Sequence, residues 1–363
     1  AKKTVSFVLA AVISLTSVPF IEIGDDGNVD VKFGLIELTE QKAVAAATPD
    51  EYDLTNKHRG TSTTVSITSY DDLLEYAQGK LADGYNEGDT INLTLQGNYD
   101  IKNDFKGVGT KDYPFKGKLQ ITNGTDNEGG DTTKLTFYAP FFNYISENAL
   151  IVDQNGDNSC AMAFLSGGTD KALFAYHVVS DGDDTTAAEW SFILNGGNTS
   201  GGLIENIENI ETGTNVGANV NLTVTDNSNG NTINAAGNAG VICATMESNS
   251  TLGVTIAADK DGNATLKQAS ITGTANAGGL VGEMKSGSAL TLKSNIAFAN
   301  SRAITSGDNS YAGGLVGRCD KGSVAFADGV TYAATNADTI TGKNGAGGVF
   351  GYYGLTEDKD IPI

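Results

Sequence analysis

Histidine occurs twice in this 363-residue chain, at His58 and His177, and the two stand alone. A His-Glu-x-x-His zinc-peptidase motif is therefore excluded. Arginine occurs only at Arg59, Arg302 and Arg318. The three cysteines, Cys160, Cys243 and Cys319, have no metal-ligand rhythm, and an odd count cannot pair completely within the chain. They read as small buried apolar residues. Basic residues number 23 against 44 acidic ones, a net charge of −21, which argues against nucleic acid or an anionic membrane as partner. The acid keeps a large surface solvated and leaves cations or basic protein surfaces as partners. Long apolar runs are also missing. Val5 to Phe20 is broken by serines and a threonine, too short and too polar for a stable membrane span.

Glycine is abundant, at 46 residues. Much of it belongs to a recurring phrase: Ser200-Gly-Gly-Leu-Ile, Ala239-Gly-Val-Ile, Ala277-Gly-Gly-Leu-Val-Gly, Ala312-Gly-Gly-Leu-Val-Gly and Ala346-Gly-Gly-Val-Phe-Gly. The intervals are 39, 38, 35 and 34 residues, the mark of stacked structural units. Paired glycines permit backbones to approach where a Cβ would forbid it. Period-two pieces such as Leu290-Thr-Leu292 and Val324-Ala-Phe326 follow each phrase and read as short half-buried strands between Gly-Asn-Asp-Ser turns. A unit of three or four strands cannot bury its own apolar face and becomes stable by stacking. The pattern predicts an all-β fold, a right-handed parallel β-helix or β-solenoid. A propeller is disfavoured because its blades carry aromatic markers and the chain has a single tryptophan. At about 20 residues per coil, the stack would hold roughly 15 coils and rise about 70 Å.

Four segments are expected: 1–47, a linker at 48–64, an N-terminal cap and first coil at 65–112, and the solenoid at 113–363. Lys2-Lys3 and the apolar run after them resemble an export signal, with Ala43–Ala47 as a small-residue cleavage site. The alternating Ile21–Lys42 stretch makes 1–47 either a long signal with a pro-segment or a retained strand region able to pair with a neighbour. Helical spacing is confined to 70–78. Ser69 is its N-cap, acids occupy its first turn, and Leu73, Leu74 and Ala77 share one face. A short amphipathic helix there covers the open end of the stack. Residues 153–199 fit the period poorly and carry an acidic insertion.

The succession of this helix, the strand Ile91–Leu95, Pro114-Phe-Lys-Gly117, Phe141-Phe-Asn-Tyr-Ile145 and the Ala-Gly-Gly-Leu-Val-Gly phrases resembles bacterial surface proteins with GLUG-motif repeats. The likeness covers about residues 65–363. It implies a secreted or surface-anchored β-helical region within a larger protein. Some of those relatives join the repeats to immunoglobulin-A-cleaving zinc peptidases, an activity the missing His-Glu-x-x-His motif keeps from this chain.

Candidate sites are few. Asp259, Asp261 and Asn263 alternate oxygen-bearing side chains as a calcium loop requires, although Gly262 and Ser270 depart from an EF-hand and Asp-Gly-Asn is common turn filler. Trp190 beside Asp181, Asp183 and Asp184, together with Tyr311, Tyr352 and Tyr353, could meet a ligand by stacking or hydrogen bonding. A glycan hydrolase would need paired carboxylates and a lyase clustered acids with a base, and no such cluster recurs in one register. These features favour a non-enzymatic, secreted or cell-surface adhesin or stalk that meets a host or environmental protein or glycan. The alternatives are a self-assembling filament or lattice built from copies of the chain, and a glycan-active β-helix enzyme.

Overall fold

The computed structural model describes residues 19–23, 29–33, 62–75, 77, 90–95, 99–112, 114–121, 135–153, 161–180, 187–196, 199–210, 216–298, 302–333 and 339–354. The chain divides into two compact units, Ala1–Tyr52 and Asp53–Ile363. In the first, Pro19–Ile23 pairs antiparallel with Val29–Phe33, so the alternation around Val29-Asp-Val31 does form a strand. Of the expected export signal's apolar run only Pro19 and Phe20 are described, and the expected cleavage site lies outside the described residues.

The second unit is a parallel β-solenoid of about six turns. From Ala188 onward each coil runs along three faces, the long face first, then the third, then the second. A long face of eight strands runs from Tyr99–Ile101 through Asn219–Asp226 and Thr251–Ala257 to Ser323–Phe326. A second face of seven runs from Phe142–Ser146 through Ala175–Ser180 and Val281–Met284 to Phe350–Gly354. A third is a five-stranded sheet from Thr199–Ser200 to Thr339–Thr341. Successive strands of one sheet are joined by a whole coil, the kind of parallel crossover for which the right hand is the physical default.

One coil therefore uses one whole repeat, not the roughly 20 residues expected from strand spacing alone. Ala277 pairs with Ala312 and Ala312 with Ala346, while Ala239 bridges Ala277. Three faces and their corners consume all 34 to 39 residues of a repeat. The eight strands of the long face then rise about 34 Å at the usual strand spacing of about 4.8 Å. Within 153–199, which breaks the sequence period, the described strands Ala161–Ser166, Ala175–Ser180 and Ala188–Asn195 take ordinary places in the long and second faces. Phe142, Ala175, Ile204, Cys243, Val281, Val316 and Phe350 form one continuous file. The period is hidden there because Ala172 and Leu173 stand where the next coil carries Gly201 and Gly202, and Phe174, in the place of Leu203, fills a wider aromatic core. Phe174 meets Phe142, Trp190 and Phe192 with ring centroids 4.6 to 5.4 Å apart.

The glycines mark crowded backbone at the corner between the third and second faces. A Cβ on Gly279 would overlap the carbonyl oxygen of Gly314, and one on Gly314 that of Gly348. The closing glycine is constrained from the neighbouring coil: a Cβ on Gly282 would lie 2.7 Å from the Ala239 nitrogen and from the Ala244 oxygen. In the divergent phrase at Ala239 both positions carry side chains, Val241 and Ala244, and both are buried. The coil still pairs there, Leu203 N–H donating to the Val241 carbonyl at 3.1 Å.

The first coil is closed. The helix α1 spans Tyr70–Glu75, within the 70–78 expected. Ser69 Oγ accepts the Asp72 amide at 3.1 Å, while Thr68 donates its amide and hydroxyl to Asp72 Oδ2, a reciprocal cap. Leu73 is fully buried, and Leu74 and Ala77 pack on the core. The strand Ser62–Ile67 pairs in parallel with Thr90–Leu95, so the last residues of the expected linker already belong to the solenoid.

Candidate functional site

Strand register on the second face places one outward residue per coil in a single file: Tyr144, His177, Asn206, Thr245, Glu283, Arg318 and Tyr352. Seven side chains thus stand in line at about 4.8 Å intervals. At one end the Tyr144 and His177 rings stack with centroids 4.2 Å apart and planes 11° from parallel. His177 Nδ1 lies 2.6 Å from Glu208 Oε1. Glu205, next to the file, is held above the ordinary carboxyl range by burial, opposed by the nearby His177.

Further along, Asn238 Nδ2 donates to Thr245 Oγ1 at 3.0 Å and to Glu283 Oε2 at 2.9 Å. Arg318 then links three neighbours: its Nε is 3.7 Å from Glu283 Oε1, its Nη2 2.7 Å from Asp320 Oδ2, and its guanidinium 5.5 Å from the Tyr352 ring centre. Tyr352 packs on Tyr311 with centroids 4.8 Å apart and planes tilted by 36°. This end combines two half-exposed rings, a cation held over one of them and two carboxylates. Such a group can stack on an apolar ring face and exchange hydrogen bonds with hydroxyls or amides.

Of the residues expected from sequence, Tyr311 and Tyr352 come together here. Tyr353 does not join them, because it continues the inward file after Cys319 and its hydroxyl donates to the Gly322 carbonyl at 3.2 Å. Trp190 is a correction: it is 2% exposed, its Nε1 donates to the Ala149 carbonyl at 2.9 Å, and it is a core residue without a ligand-facing ring. Asp181, Asp183 and Asp184 lie outside the described residues. The Asp259 carboxylate is engaged within its own turn. Its Oδ1 accepts the amides of Asp261 and Asn263 at 2.9 and 2.8 Å, and its Oδ2 lies 2.8 Å from the Lys267 ammonium. The side chains of Asp261 and Asn263 are exposed and do not converge on it through any of these bonds. Among the described residues no group of three or more His, Cys, Asp or Glu is placed to hold a metal. Cys243 and Cys319 are buried on neighbouring inward files, and burial raises both thiols, Cys319 to about 11.

Sequence reading found only Tyr352 of this file, yet five of its members share one signal. Asn206, Thr245, Glu283, Arg318 and Tyr352 each lie six residues after the first residue of their glycine phrase. Tyr144 and His177 precede the first phrase and only the register reveals them. Among the described residues no helix is long and apolar enough to cross a membrane. No family model, no curated protein and no solved structure matches the chain.

Proposed function

We propose that the chain is a non-catalytic, exported β-solenoid that serves a bacterial surface protein as a rigid adhesive stretch, meeting a glycan or protein partner along its second face. The observation that carries this reading is the outward file, above all its Arg318–Tyr352–Tyr311 end. A file of side chains fixed by strand pairing is preorganised, so a ligand that lies along it orders little on binding. The strongly acidic surface, the basic start followed by an apolar run and the GLUG-like phrases support an extracellular setting. A glycan array with the full chain tests the reading: expected is binding that weakens about tenfold in Tyr352→Ala, the size of one aromatic contact. Release of reducing sugar from a bound glycan would replace the adhesive reading with the enzymatic one. Binding untouched by Tyr352→Ala, Tyr311→Ala and Arg318→Ala together would remove the file from it.

A second reading, self-assembly, is favoured by the last described coil. Its strands, Ser323–Phe326, Tyr332–Ala333, Thr339–Thr341, Gly345–Gly347 and Phe350–Gly354, contain no charged residue and no proline, the devices that usually blunt a strand edge. Light scattering separates the readings. A mass above that of one chain, restored to one chain by Phe350→Lys, supports assembly through this edge. A mass of one chain at high concentration excludes it. Removal of residues 1–47 without change of mass excludes the N-terminal strands as the contact.

A further inference from the structure

We infer that the corner between the long and third faces binds one water-sized guest, a water molecule or a monovalent cation, at a site made by Asn231 and Gln268. The two side chains come from successive coils, just ahead of the paired strands Thr232–Ala235 and Ser270–Gly273. Gln268 is fully buried, and its Nε2 donates to Asp226 Oδ2 at 3.0 Å. A carboxylate only accepts, so this bond fixes which end of the amide is oxygen. Gln268 Oε1 is left without a protein donor, and so is Oδ1 of Asn231, which is 7% exposed.

Both residues line the same small cavity, which Phe164 and Leu194 wall on the apolar side and which Ser166 and Ser200 also border. Its volume of about 10 Å³ is close to what a single water requires. Two buried acceptors without donors are costly, and the need is for a guest that donates hydrogens or carries positive charge. The electrostatics point the same way. Asp226 is fully buried and its oxygens accept only N–H groups, from Ser228 at 2.9 Å, Lys267 at 2.8 Å and Gln268. The Lys267 ammonium is turned instead to Asp259. Hydrogen bonding of Nε2 to a carboxylate polarises the amide and makes Oε1 a stronger acceptor. An anion would be repelled by the two acceptors, and an apolar guest would leave both of them without a donor.

The test is a high-resolution crystal structure of the full chain, from crystals grown in sodium chloride and in rubidium chloride. Expected is a density peak within hydrogen-bond or coordination distance of both Gln268 Oε1 and Asn231 Oδ1. Anomalous rubidium signal at that peak assigns a cation, and a peak without it assigns water. No peak in either crystal overturns the inference. In solution, a cation site requires a melting temperature higher in sodium or potassium chloride than in choline chloride at equal ionic strength, a difference that Gln268→Met abolishes. A peak that persists unchanged in the Asn231→Leu and Gln268→Met variants places the guest on other groups and overturns the assignment.

Discussion

The first coil and the last described coil are built from the same kind of strand and are covered differently. At the first coil, Leu73 of α1 is fully buried, and Val108 and Phe115 bridge Phe142 and Ile145 so that the second face has no free edge there. The approach is close: a Cβ on Gly109 would lie 3.0 Å from the Phe115 nitrogen, and the backbone there adopts φ +87°, which favours glycine. At the last described coil the inward files run out. Leu292 is fully buried, yet Phe326, its partner one coil on, is 42% exposed. Cys319 is fully buried, and its partner Tyr353 is 36% exposed. In a stack where each unit is stabilised by its neighbours, side-chain identity matters less than whether another coil lies on top.

Glycines give the largest contrast. Gly314→Ala drives a methyl into the Gly348 carbonyl of the next coil, and backbone cannot move aside as a side-chain tip can. A loss of roughly 3 kcal/mol or more is expected. Gly348 occupies the same place one coil later, and a methyl added there would meet nothing within 4 Å, so Gly348→Ala should stay within about 0.5 kcal/mol. Thermal or denaturant melts of the pair decide it, and equal losses would mean that the last coil is covered in solution.

The apolar file Trp190, Leu222, Val254, Leu292 and Phe326 repeats the contrast with side chains. Leu292→Ala should cost about 2–5 kcal/mol because the surrounding coils cannot collapse on the gap. Phe326→Ala removes more atoms but should cost less than about 2 kcal/mol, since much of that ring is already in water. At the closed end, Ser69→Ala should cost about 1 kcal/mol through loss of the helix cap. A negligible effect of that change would show that packing of Leu73 alone holds α1 in place.

How much of this is legible in the residues follows from the same contrast. The glycine phrase announces stacked coils because Gly279, Gly314 and Gly282 answer to backbone one coil away, a constraint that glycine meets without displacing the neighbour and that recurs in most of the phrases. Coil length is not legible, because alternation reports strands and says nothing of how many make a turn. Coils before Ser200 are hidden because Phe141, Phe142 and Phe174 fill their interior, and several large apolar residues satisfy such a position equally well. Trp190 resembles a ligand platform only because its neighbours in sequence are acidic, whereas its neighbours in space are Phe174 and Phe192. The outward file is the hardest to read. Its members differ chemically from coil to coil, so only their constant offset from the glycine phrase betrays them.

The smallest expected effect compares two ion pairs. Asp259–Lys267 is set in the middle of the stack, with the Asp259 side chain 1% exposed, whereas Lys343–Asp308 involves the last coil with side chains 64% and 77% exposed. The Lys267 ammonium, with the amides of Asp261 and Asn263, holds the Asp259 carboxyl down to about 2. The unfolded chain releases that proton near 3.8, so the folded state binds the proton more weakly and the ionised carboxylate favours folding above pH 4. That contribution fades as the pH falls from about 4 through about 2. Lys267→Met should therefore lower the melting temperature at neutral pH, and the difference from the parent chain should shrink as the pH drops through that window. Lys343→Met should leave the melting temperature unchanged at every pH, because an exposed pair contributes little in water. If both variants gave the same flat profile, the Asp259 turn would be as open to solvent as the end of the stack, and the contrast between interior and terminal coils would fail at that turn.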